Sequence, residues 1–74
     1  MHVTVKLFAT LRINRFEESV CEIVDGSSVG MLLEKLSIPQ DQVAILFING
    51  RHATPESVMA DGDSVGIFPP VGGG

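Results

Sequence analysis

The chain is poor in the residues that small domains use for covalent bracing and for chemistry. Of 74 residues one is cysteine, Cys21, and there is no tryptophan or tyrosine. A lone cysteine forms no intramolecular disulfide, so nothing points to an oxidising compartment. It provides no Cys-x-x-Cys pair either, and the two histidines, His2 and His52, lie far apart with no His-x-x-x-His spacing. No zinc or iron–sulfur site is therefore expected. Positive charge is scarce: five Lys and Arg stand against nine Asp and Glu, a formal net charge of −4. Binding along nucleic-acid phosphates or to anionic membranes needs the opposite balance. A basic protein partner, by contrast, would be steered in. No apolar run reaches the ~18 residues of a membrane-spanning helix and no charged-then-apolar leader opens the chain, so a cytoplasmic location is expected. A phosphate-cradling loop is missing too, since Asp25-Gly26-Ser27-Ser28 is short and has no lysine.

What is there folds. Hydrophobic residues make up 45% and charged residues 19%, and the length suits one domain without a linker or repeat. A core this small holds few convergent groups, which favours a binding or carrier module over a free-standing enzyme. Val3 to Thr10 opens the fold, with Val3, Val5 and Leu7 alternating with Thr4 and Lys6 as in a half-buried strand. Leu11 to Arg15 reads as a loop, and Val20 to Val24 as a second strand joined to the first as a hairpin. Ser28 is the favoured N-cap of a helix carrying Val29, Leu32, Leu33 and Leu36 on one face and Glu34 and Lys35 on the other. Gly30 costs that helix about 1 kcal/mol against alanine and would allow close approach to the sheet. Pro39 ends it. Val43 to Ile48 is continuously apolar, as expected of a central strand buried on both faces. Asn49-Gly50 marks a tight turn into a short strand, Arg51 to Ala53. A helical turn over Glu56 to Ala60, a turn at Asp61-Gly62-Asp63 and a last strand, Ser64 to Phe68, complete the order. The fold class is α+β, with one helix on a mixed sheet of four to five strands. The carboxylates of Glu17, Glu18, Asp61 and Asp63 read as loop and turn residues. Cys21, inside a strand, reads as a structural thiol.

The end of the sequence differs from the rest. Pro69-Pro70 stiffens the exit from the last strand, and Val71-Gly72-Gly73-Gly74 then strips the tip of bulk. At ~3.3 Å per residue, Pro70 to Gly74 extends roughly 15 Å, the shape of a probe for a narrow tunnel. The reactive group at the tip is the carboxylate of Gly74. A carboxylate is a poor electrophile and needs activation, for example as an acyl-adenylate, which a partner with a nucleotide site would provide.

Taken in order, Val5-Lys6-Leu7-Phe8-Ala9-Thr10-Leu11-Arg12, Ser28-Val29-Gly30 with Leu32-Leu33, Ile48-Asn49-Gly50, Asp61-Gly62-Asp63-Ser64-Val65 and Phe68-Pro69-Pro70-Val71-Gly72-Gly73-Gly74 resemble the MoaD/ThiS family of ubiquitin-like sulfur carriers, and they span almost the whole chain. The resemblance implies a β-grasp domain over 1–69 and a flexible glycine-rich tail over 70–74. It implies that a MoeB- or ThiF-like enzyme uses ATP to adenylate Gly74, and that sulfur transfer then makes a thiocarboxylate. The Phe-Pro-Pro-Val lead-in looks most like the small subunit of molybdopterin synthase, whose tail enters a MoaE-like large subunit. The carrier would then be a non-catalytic subunit, monomeric alone, with no bound cofactor or metal. Carried over by position, Gly72 and Gly73 fit the tunnel, and Phe8 and Phe68 lie near the partner-facing apolar surface, with ordinary core as the alternative. Two positions depart from the pattern: Gly72 is often another small residue in relatives, and His52 stands where relatives can carry an apolar one. Sulfur delivery to a thiazole synthase for thiamin, conjugation to lysines as a protein modifier, and a plain interaction domain with an inert tail are the competing readings.

Overall fold

The computed structural model describes residues 1–70. Its strands are β1 (His2–Leu7), β2 (Glu18–Glu22), β3 (Ile45–Ile48), β4 (Arg51–Ala53) and β5 (Ser64–Phe68), with one α-helix, α1 (Val29–Lys35). The sheet order is β2-β1-β5-β3-β4. β1 and β5 run parallel in the centre, and the remaining pairs are antiparallel. With a single helix on one face, this is the ubiquitin-like β-grasp fold.

One phase of the strands builds the core. Val3, Val5 and Leu7 of β1, Val65 and Ile67 of β5 and Leu46 of β3 are buried together with Val29, Leu32 and Leu33 of α1. Leu11, Ile38 and Met59 close the cluster from the connecting segments. The helix begins where the sequence places it: the Ser28 hydroxyl accepts from the Met31 N–H at 3.3 Å. Ser27 is the buried serine, its Oγ donating to the Val24 carbonyl at 2.6 Å.

Several expectations need correction. The first strand stops at Leu7, because Ala9 adopts φ +52° and Ala9–Arg12 forms a 3-10 turn. The second strand is Glu18–Glu22, so Ile23 and Val24 lie beyond it. β3 is shorter than Val43–Ile48 and is not buried on both faces: Leu46 enters the core while Ile45 and Phe47 lie on the other side, half-exposed. No helical turn forms over Glu56–Ala60, because Thr54–Ser57 makes a tight turn and Val58 bridges to Ser28. A 3-10 turn at Gln40–Gln42 follows Pro39 instead. Gly30 does admit a close approach, but of a loop and not the sheet: its N–H donates to the Pro55 carbonyl at 2.8 Å, and a Cβ would stand 3.2 Å from that oxygen.

The two turn motifs are physically one unit. Asn49 and Gly50 have φ +52° and +79°, the mirror-image turn that suits a two-residue hairpin. The Asn49 side chain then donates to Asp63 Oδ1 and accepts from the Ser64 N–H, both at 2.9 Å. Asp63 Oδ2 accepts from the Ala60 N–H at 2.7 Å, and Asp61 Oδ1 from the His2 N–H at 2.7 Å. These carboxylates are consumed by turn construction.

Candidate functional site

The β5 strand delivers the chain to Pro69, and what surrounds its last residues is the candidate site. β1 runs beside it in parallel, with Leu7 opposite Ile67, and the Phe8 N–H donates to the Ile67 carbonyl at 3.2 Å. On the other side the Ala44 N–H donates to the Phe68 carbonyl at 2.8 Å. Phe68 is thus held from both flanks immediately before the prolines. Pro69 is half-buried and Pro70 exposed, outside regular structure.

Phe8 and Phe68 stack on the sheet face that α1 does not cover, with ring centroids 4.0 Å apart and planes within 6°. Both are half-buried and neither belongs to the core cluster. Phe47 meets Phe68 edge-on at 5.7 Å, and His52 tilts against Phe47 at 4.6 Å. The Arg12 guanidinium lies 5.6 Å from the Phe8 centroid, and its Nε donates to the Leu7 carbonyl at 2.7 Å. Aromatic pairs are each worth about 1 kcal/mol beyond the area they bury. The result is a continuous aromatic surface from Arg12 to His52, at the root of the tail.

The sequence reading named Phe8 and Phe68, and the fold brings them together. It did not name Phe47, whose place was hidden inside a continuous apolar run, and it treated His52 only as a departure. Val71, Gly72, Gly73 and Gly74 lie outside the described residues.

Other candidates carry less. Cys21 is half-buried against the core, and burial pushes its thiol above the ordinary range despite the Lys35 charge nearby. Thiolate chemistry is disfavoured there. Glu17 pairs with Arg12 at 3.6 Å. Among the described residues no group of His, Cys, Asp and Glu is arranged to hold a metal ion, and no helix is long and apolar enough to cross a membrane.

The family model described as the ThiS family matches residues 5–74. This chain belongs to the ThiS family. It is a small ubiquitin-like protein of the MoaD/ThiS sulfur-carrier kind. No curated protein matches it by sequence. Among solved structures it is similar to the putative molybdopterin converting factor subunit 1 of Pyrococcus furiosus, with 30% identity over 96% of this chain and 99% of that one and a TM-score of 0.79. It shares the fold of SAMP1 from Haloferax volcanii, at 23% identity over the full length of both chains and a TM-score of 0.79. It also shares the fold of a chain in the complex of molybdopterin-converting factor subunits 1 and 2 from Helicobacter pylori, at 22% identity over both full lengths and a TM-score of 0.65.

Proposed function

We propose that this ThiS-family chain carries sulfur for molybdopterin synthesis, the route to molybdenum and tungsten cofactors. The observation that carries the reading is the Phe68-Pro69-Pro70-Val71-Gly72-Gly73-Gly74 ending on a fold 30% identical to a molybdopterin converting factor subunit 1. The Gly74 carboxylate attacks the α-phosphate of ATP on a MoeB/ThiF-like enzyme and releases pyrophosphate. Hydrosulfide then adds to the acyl carbon and expels AMP, leaving the thiocarboxylate. The carrier itself catalyses neither step. The aromatic surface at Phe8 and Phe68 seats the partner while Pro69 and Pro70 aim the tail, and Gly72 and Gly73 pass where a Cβ would collide. The receiving partner is a MoaE-like large subunit, in keeping with the assembly of subunits 1 and 2 in the Helicobacter pylori complex.

The test is to incubate the full chain with ATP, an adenylating enzyme and a sulfur donor and weigh the product. Replacement of one terminal oxygen by sulfur is the expected result; neither thiocarboxylate nor adenylate would sink the reading. Co-purification then separates the pathways. A molybdopterin-synthase large subunit supports the proposal, a thiazole synthase redirects it to thiamin, and isopeptide adducts on lysines redirect it to protein modification.

A further inference from the structure

Gly66 sits in the middle of β5, the central strand, and the fold does not require it to be glycine. Its backbone lies outside the positive-φ region that Gly26, Gly50 and Gly62 occupy. A Cβ built there would meet Phe68 and Phe8 at 3.7 Å and Phe47 at 3.9 Å, ordinary van der Waals contact. Gly30 is the opposite case, crowded by the Pro55 carbonyl at 3.2 Å. A glycine inside a strand weakens it and, where no bulge or turn demands it, marks a place that something else approaches closely. What Gly66 does is leave bare backbone as the floor of a shallow depression of about 330 Å³ on the open face, walled by Phe8, Phe47 and Phe68.

The depression has one charged wall. Lys6 lies directly opposite Gly66 in the β1–β5 register and lines the same space. Lys6 is exposed, and among the described residues it makes no ion pair. Its cross-strand neighbour Glu18, on the far side from Gly66, does not approach within pairing distance. In a chain of net charge −4, an unmatched ammonium beside aromatic walls selects its occupant by charge as well as by shape. The gap at Gly66 is one side chain wide, because Lys6 and Phe47 stand on the adjacent strands at the same level.

We propose that this depression is a socket for an aliphatic side chain flanked by a carboxylate, presented by the protein that receives the tail. The aliphatic group packs onto the Gly66 backbone among the three phenylalanine rings, and the carboxylate pairs with Lys6. The inference rests on the carrier reading and assigns the chemistry of its docking contact.

The experiment uses the full chain and the MoaE-like large subunit of the same organism, with calorimetric binding and thermal unfolding measured on each variant. Gly66→Ala raises the melting temperature by a few degrees, as a compatible glycine replacement in a strand should, yet weakens binding about tenfold or more because it fills the floor. Gly66→Val weakens it further. Lys6→Glu lowers the melting temperature slightly, because it sets two carboxylates opposite each other across β1 and β2, and weakens binding about tenfold at low salt, less at high salt. Wild-type affinity in both Gly66 variants overturns the socket and leaves the carrier reading standing. Unchanged affinity in Lys6→Glu overturns the carboxylate. Failure of the wild-type chain to bind the large subunit overturns the molybdopterin reading and the socket together. A second copy of the chain as occupant would show as a concentration-dependent dimer that Gly66→Ala abolishes, and would also overturn the proposal.

Discussion

The two faces of the β1–β5 sheet are built from the same strands in opposite phase, and they obey different rules. The helix face is closed: Val5, Val65, Ile67 and Leu32 are each 0% exposed. The open face carries three of the four phenylalanines, Phe8, Phe47 and Phe68, half-buried around a glycine that a larger residue could replace. The first face is filled to completion and the second is left incomplete. Packing accounts for the former; the latter fits the docking surface proposed above. On that proposal stability and docking separate by strand phase, and substitutions can test the separation.

The largest effect is expected on the closed face. Leu32→Ala removes a fully buried side chain from α1 and costs about 3 kcal/mol from transfer and cavity together. A domain of this size has a stability of only about 5–10 kcal/mol, so urea unfolding should shift markedly, and partner binding should fall only in proportion to the unfolded fraction. A Leu32→Ala chain that stays folded but fails to bind would break the division between faces.

Next comes the link between the turns. Asn49 holds φ +52° and ties Asp63 and Ser64 by two side-chain hydrogen bonds. Asn49→Ala loses both and keeps the left-handed backbone at a cost, about 2 kcal/mol in all. Asn49→Gly recovers the backbone part but not the bonds, so the two variants bracket each contribution in the same denaturation assay.

Phe8→Ala reverses the pattern. Phe8 is half-buried and outside the core, so its loss costs about 1–2 kcal/mol, the stack with Phe68 included. The expected readout is a folded protein with an intact amide spectrum whose affinity for the tail-receiving partner falls by about tenfold or more. Unaltered affinity would return Phe8 to a merely structural role.

The same contrast explains which features the sequence disclosed. The closed face was legible because Val3, Val5 and Leu7 alternate with polar residues, and because Ser28 stands where a hydroxyl can cap α1. Asn49-Gly50 announced its turn for conformational reasons. The open face was not legible at β3, since Val43 to Ile48 is apolar throughout and erases the period of two that would have assigned Phe47 to one side. The end of β1 was partly disclosed: the alternation stops at Leu7, since Phe8 and Ala9 are both apolar, and the positive φ of Ala9 then breaks the strand. Gly66 gave no signal, because a glycine that is unnecessary to the fold looks in sequence like any other. Phe8 and Phe68 were found through the order of motifs, since their separation of 60 positions conceals a 4.0 Å stack.

The smallest effect belongs to an ion pair outside both faces. The Met1 amine donates to the Ile23 carbonyl at 2.9 Å and stands 2.8 Å from Asp25 Oδ1. The hydrogen bond to Asp25 raises the amine above its ordinary value of 8.0, and the same bond lowers the Asp25 carboxyl below 3.8. The raised amine contributes stability that is complete below 8.0 and is lost as pH rises through its folded value. The lowered carboxyl contributes stability that is complete above 3.8 and is lost as pH falls through its folded value. The two windows overlap between 3.8 and 8.0, where the difference in urea midpoint between wild type and Asp25→Asn should be greatest and should shrink on both sides. Asp25 is 87% exposed, so solvent and salt screen the pair and the difference stays small. Because the pair touches neither the core nor the aromatic surface, Asp25→Asn should leave partner affinity unchanged across that pH range; a pH-dependent affinity that disappears in this variant would join the chain's first residues to the docking face and erase the division between them.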